Sequence, residues 1–146
     1  MRNFIKVVCV IMALACLLSM PVYADDGSAY SSAFFAAYDS FLRNPSGTII
    51  RIWFDVMGNG TMDEIGASSI VLQRSSDGIN WTAVKTFLPE NYPKMICENT
   101  GLACDYVVYS GYSGYYYRAY VEFYAKNSRG TGYIWDYSEV IYLQSS

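Results

Sequence analysis

Tyr115-Tyr116-Tyr117-Arg118-Ala119-Tyr120-Val121-Glu122-Phe123-Tyr124-Ala125-Lys126 is the stretch whose reading decides the fold. Side chains alternate across a strand, so it divides into two faces. One carries Tyr115, Tyr117, Ala119, Val121, Phe123 and Ala125, a core-like set. The other carries Tyr116, Arg118, Tyr120, Glu122, Tyr124 and Lys126, a mixture of rings and charges suited to a wet or ligand-facing surface. A helix would scatter both sets around its circumference.

The same period extends outward. Ile50, Ile52, Phe54 and Val56 alternate with Arg51, Trp53 and Asp55, and Gly58-Asn59-Gly60 breaks that run. Ile70 and Leu72 mark the next strand. Ser75-Ser76-Asp77-Gly78 is a turn signal, because Asp-Gly adopts positive φ at low cost. Trp81, Ala83, Lys85 and Phe87 then complete a hairpin. Pro89 and Pro93 exclude a central strand across 88–95. Tyr106 to Tyr109 reads as a short strand, Gly111 and Gly114 bracket a turn, Asn127 to Gly132 forms another turn, and Ser138 to Leu143 is the last strand. Residues 28–43 fit either a helix, through Phe34, Phe35, Tyr38, Phe41 and Leu42, or an edge strand. Six to seven strands with short turns predict an all-β chain, an antiparallel β-sandwich.

Composition narrows the chemistry. The 146 residues are 53% hydrophobic and only 16% charged, which opposes disorder. There is no histidine, so neither a histidine-based nucleophile pair nor a histidine metal ligand exists. Thirteen acids against ten bases argue against nucleic acid, which is gripped by basic patches. No cofactor or metal site is expected.

Residues 1–24 read as a signal peptide that forms an N-terminal helix: Arg2 and Lys6, an apolar run from Val7 to Leu18, and Val22-Tyr23-Ala24 before Asp25. The alternatives are an uncleaved anchor helix and a lipoprotein acylated at Cys16. The expectation is a secreted single domain of residues 25–146. In such a protein Cys97 and Cys104 would close a short disulfide loop over Asn99-Thr100-Gly101, as a structural clip rather than a redox pair.

Two further stretches carry a family resemblance. Tyr115-Tyr116-Tyr117-Arg118-Ala119 followed by Ala125-Lys126-Asn127-Ser128-Arg129-Gly130-Thr131-Gly132 resembles the penultimate strand and turn of fibronectin type III domains. Leu72 to Trp81 is similar to that family's central hairpin. The resemblance implies an immunoglobulin/fibronectin type III-like sandwich with Tyr115 and Tyr117 inward and Arg118 outward. The chain also resembles small secreted Gram-positive bacterial proteins of unknown function, through Ile65-Gly66-Ala67-Ser68 ahead of Asp77-Gly78-x-x-Trp81. That likeness implies an address and no activity.

Tyr112, Tyr116, Tyr120 and Tyr124 are the candidate ligand-binding residues, the last three a row on one strand face able to stack on sugar rings or anchor a protein. The alternative is a sheet face covered by its neighbours or by segment 28–43. Asp63 and Glu64, with Asp55, are candidate carboxylates for hydrolysis or calcium. Adjacent acids point apart on a strand, however, and the calcium-loop spacing is missing. The expected function is a secreted, non-catalytic module that binds a glycan or a protein at the cell surface. The rivals are a self-associating envelope or matrix subunit and a carboxylate hydrolase.

Overall fold

The structure, a computed structural model, describes residues 33–144. The signal peptide, its alternatives and residues 28–32 lie outside the described residues. The described chain is all-β, a curled antiparallel sheet of seven strands: β1 (Phe35–Ser46), β2 (Ile49–Ser75), β3 (Thr82–Phe87), β4 (Ile96–Ser110), β5 (Tyr115–Asn127), β6 (Gly130–Tyr137) and β7 (Ile141–Leu143). Of the two readings of 35–43, the edge strand is the observed one, since β1 pairs with β2 alone. A single 3₁₀ turn, Pro93–Met95, occupies the proline-marked segment.

β2 is the spine. The sequence expectation of two strands broken at Gly58-Asn59-Gly60 is corrected: the backbone bulges between Met57 and Met62 and then continues to Ser75. β5, expected to be the longest strand, has 13 residues against 27 in β2. The first half of β2 lies between β1 and β4, and the second half pairs with β5 and β3. Glu64, Ile65 and Gly66 pair with β4 and with β5 at once, so the sheet changes partners there. Glycine is required at the crossing, because a Cβ on Gly66 would overlap the Met95 carbonyl oxygen.

The curl brings two walls face to face. Ile50, Ile52, Phe54 and Val56 from the first half of β2 are buried, as are Ile70 and Leu72 from the second. Tyr117, Ala119, Val121, Phe123 and Ala125 form the fully buried face of β5, as their alternation predicts, whereas Tyr115, expected with them, is only half-buried, with Arg74 over its ring. Contacts across the curl include the Tyr38 and Phe123 rings at 5.6 Å and the Ser40 hydroxyl, which donates to Asp136 at 2.6 Å. Tyr117 is buried with its hydroxyl in use: it accepts from the Tyr112 N–H at 2.8 Å and donates to the Tyr112 carbonyl at 3.3 Å. Gly111 leaves room for that hydroxyl, which would lie 3.0 Å from a Cβ.

The expected Cys97–Cys104 disulfide is a second correction. Both residues are free cysteines on β4, which is one strand from 96 to 110 rather than a loop followed by a short strand. At roughly 3.3 Å per residue an extended strand carries them far beyond the ~7 Å between Cα atoms that a disulfide spans. Cys97 packs against the core and Cys104 faces outward. Partial burial, then Asp55 and Asp105, push the Cys104 pKa up and keep it a thiol.

Tyr117→Phe is expected to cost about 1–3 kcal/mol, because the buried tyrosine loses its hydroxyl and the Tyr112 N–H and carbonyl lose their partner. Gly66→Ala is expected to cost more, since backbone must move. Urea unfolding of the two variants beside the unaltered protein measures both, and the order of their midpoints is the test.

Candidate functional site

The outer face of the wall built from β5, β6, β7, β3 and the second half of β2 is where the expected tyrosines lie. Tyr116, Tyr120 and Tyr124 do share that face, but at every fourth residue, with Arg118 and Glu122 between them. At ~3.4 Å per residue the row therefore spans roughly 27 Å. All three are half-buried rather than free, because the neighbouring strands lay rings over them. Tyr116 meets Tyr142 at 4.8 Å. Tyr120 stacks on Trp135 at 5.8 Å and 11° and meets Tyr137 at 4.7 Å. Tyr124 meets Tyr133 at 5.4 Å.

The exposed rings come from the strands that sequence reasoning passed over. Tyr133, Trp135 and Tyr137 on β6 are 51%, 54% and 53% exposed, and Tyr142 on β7 is 48% exposed. The signal was available: three aromatics alternate from 133 to 137, between the turn expected at 127–132 and the strand expected at 138–143, a span to which no strand is assigned from the sequence. That last strand is also shorter than expected. Residues 138–140 leave the ladder, and the buried Ser138 covers the gap, its hydroxyl accepting from the Ala119 N–H at 2.8 Å.

Arg118 is fixed among these rings. Its guanidinium lies 4.4 Å from the Trp81 ring centre and 4.7 Å from that of Tyr137, and its Nε donates to Gln73 Oε1 at 2.8 Å. A cation held between two ring faces is stabilised by their quadrupoles. Trp81 is placed by the turn before it. Asp77 accepts from the N–H groups of Ile79 and Asn80, both at 2.8 Å, and from the Asn80 side chain at 2.7 Å. These bonds, with one from the Ser75 hydroxyl, hold the Asp77 carboxyl well below the usual carboxylate range. The Asp-Gly signal thus forms a hydrogen-bonded turn that delivers an indole onto Arg118.

At the other end of the row the Tyr124 hydroxyl donates to Glu64 at 2.8 Å, and Lys126 lies 3.4 Å from the same carboxylate. Glu64 is held below its ordinary value by the Tyr124 bond and then by Lys126. The Tyr124 phenol is pushed up to about 12 by burial and by that bond. Burial likewise raises Tyr120, helped by Tyr137 and Glu122.

Two groups of expected residues do not assemble. Tyr112 sits in the turn before β5 with Arg74 over its ring at 5.5 Å, and Arg74 also covers Tyr115 at 4.6 Å, so Tyr112 stands apart from the row. The three acids Asp55, Asp63 and Glu64 do not converge: Glu64 is engaged by Tyr124 and Lys126, Asp63 is exposed beside it, and Asp55 stands opposite Cys104 on the other wall. Among the described residues no cluster of three metal-capable side chains exists, and no helix is long and apolar enough to cross a membrane.

The pH dependence follows from the Glu64–Tyr124 pair. The lowered carboxyl contributes stability above the ordinary carboxylate range, which is lost as pH falls through its folded pKa; the raised phenol contributes below pH ~10, which is lost as pH climbs toward 12. In Tyr124→Phe the Glu64 carboxyl should titrate at higher pH, followed by carbon-13 NMR, and the ultraviolet titration should lose a phenol that ionises near pH 12.

Compared with family models, curated proteins and solved structures, this chain finds no match in any of the three.

Proposed function

We propose that this protein is a secreted, non-catalytic binding module that holds a cell-surface glycan against the outer face of its β5–β6 wall. The observation that carries the reading is the series of ring contacts along this face, Tyr116 with Tyr142, Tyr120 with Trp135 and Tyr137, and Tyr124 with Tyr133, with Arg118 clasped by Trp81 and Tyr137 among them. Pyranose rings present flat C–H faces that lie on exposed aromatic rings. Arg118, Gln73 and Glu122 on the same face supply donors and acceptors for hydroxyls between the rings. The rings are pre-set by their neighbours, so little rotamer entropy is lost on binding. Secretion rests on the signal-like residues 1–24, and the absence of histidine supports a binding role over a catalytic one.

We read the curled sheet as the immunoglobulin/fibronectin type III-like sandwich that the resemblance implies. Two features support this. The pairing order β1–β2–β4 in one wall and β3–β2–β5–β6 in the other parallels the A-B-E and C′-C-F-G neighbours of that architecture. The Tyr117 hydroxyl bonded to backbone five residues upstream has the form of a tyrosine corner.

A glycan array followed by calorimetry on the hit tests the function. Trp135→Ala and Tyr137→Ala should each cost about 2 kcal/mol, some thirty-fold in affinity, with the cooperative urea transition of a folded protein retained at a slightly lower midpoint. Alanine at Tyr116, Tyr120 and Tyr124 together should abolish binding. Undiminished affinity in these variants overturns the assignment of this face. A protein ligand that depends on the same rings would keep the face and replace the ligand class.

A further inference from the structure

The opposite outer face, on the wall of β1, the first half of β2 and β4, is ordered in rows. Register sets Arg43 opposite Arg51, Phe41 opposite Trp53, and Asp39 opposite Asp55. The same β2 residues face Val108, Tyr106 and Cys104 on β4. A basic row, an aromatic row and an acidic row therefore cross the wall in succession. Like charges directly opposite each other destabilise a sheet. This face carries two such pairs, of opposite sign, one on each side of the aromatic row.

None of the four charged residues is in an ion pair within the described chain. The guanidiniums lie over rings instead, Arg43 at 5.2 Å from Phe41 and Arg51 at 5.1 Å from Tyr106. Trp53 is packed between Phe41 at 6.0 Å and Tyr106 at 4.6 Å. An open recess of about 350 Å³ lies beside Trp53, between Arg51 and Asp55.

We propose that this face is the contact surface of a homodimer whose two-fold axis runs along the aromatic row. Rotation about that line lays the aromatic row on its own copy and exchanges the basic and acidic rows. Arg43 and Arg51 then meet the partner subunit's Asp39 and Asp55, and the reverse pairs form by symmetry. Both like-charge pairs, unfavourable in the single chain, gain opposite charges at once. An axis along the strands would set arginine on arginine, so the charge order selects one arrangement. It is an isologous, closed contact. It also leaves the proposed glycan face of each copy pointing away from the other, so the two faces are independent.

The size of the surface sets the strength. Three strands ~4.8 Å apart and some seven residues of ~3.4 Å each give roughly 350 Å² per copy. Standard stable interfaces bury about 800 Å² on each partner. The dimer is therefore weak, micromolar or above, and formed without a covalent link. Cys104 meets the partner's Val108 and not its own copy.

Sedimentation velocity from about 1 to 500 µM in reductant tests the proposal. The unaltered protein should pass from monomer toward dimer, and the association should weaken as sodium chloride rises from about 50 to 500 mM. The pair R43D/R51D gives a wholly acidic face and the pair D39R/D55R a wholly basic one, so each variant alone should stay monomeric. Mixed one to one, the two should associate, because every row then finds its opposite. A strictly monomeric unaltered protein overturns the proposal, as does a dimer that survives in R43D/R51D or a mixture that fails to associate. Near-ultraviolet circular dichroism checks the fold of each variant. If one of them does not fold, the salt dependence of the unaltered dimer still decides: association that is indifferent to salt counts against charge-matched rows.

Discussion

The approach of the Met95 carbonyl to Gly66 is the constraint on which the architecture depends. At that point β2 has β4 on one side and β5 on the other, and no side chain fits between. Because the strand continues through the crossing, four of the other six strands pair directly with it. Its first half organises one wall and its second half the other. The bulge after Met57 takes up the extra residues that a continuous strand must lose when the sheet curls over its own core. The buried faces on both sides of the curl are therefore products of one polypeptide run, and their relative register is set by covalent geometry as much as by packing.

The two outer faces use aromatic residues differently. On the β5–β6 wall the rings are graded, half-buried tyrosines beneath and exposed rings from β6 and β7 at the rim, with Arg118 held between Trp81 and Tyr137. The charges there are satisfied within the chain: Arg118 by rings and Gln73, Glu64 by Tyr124 and Lys126. On the opposite wall the charges are segregated by sign into rows. In the reading proposed above, a satisfied face suits a neutral, flat ligand, and a face with separated charge suits a partner of matching pattern. The contrast is why a glycan is assigned to one wall and a second copy to the other.

Much of the strand content was legible because period-two patterning survives in a single sequence. The β5 faces, the hairpin at Asp77-Gly78, the proline-marked break and the turn at Gly111–Gly114 all follow from local chemistry. The strand ends were not legible. Gly58-Asn59-Gly60 has the composition of a turn, and only the neighbours on both sides of β2 convert it into a bulge. Asn99-Thr100-Gly101 likewise looks like a loop tip closed by cysteines, but pairing with 62–66 draws it into β4 and parts the thiols. For 35–43 the helical spacing of Phe34, Phe35 and Phe41 competed with strand pairing, and the exposed edge of β2 decided between them.

The sequence by itself determined that this is an antiparallel β chain, which face of β5 is buried, and that tyrosines mark the surface, since all three depend on alternation and residue type. Tertiary structure alone decided that β6 rather than β5 bears the exposed rings, that Arg118 is clasped by an indole from a distant turn, and that Arg43 stands beside Arg51. Those facts depend on cross-strand register, and register is fixed by which strands become neighbours, a property that no single segment carries.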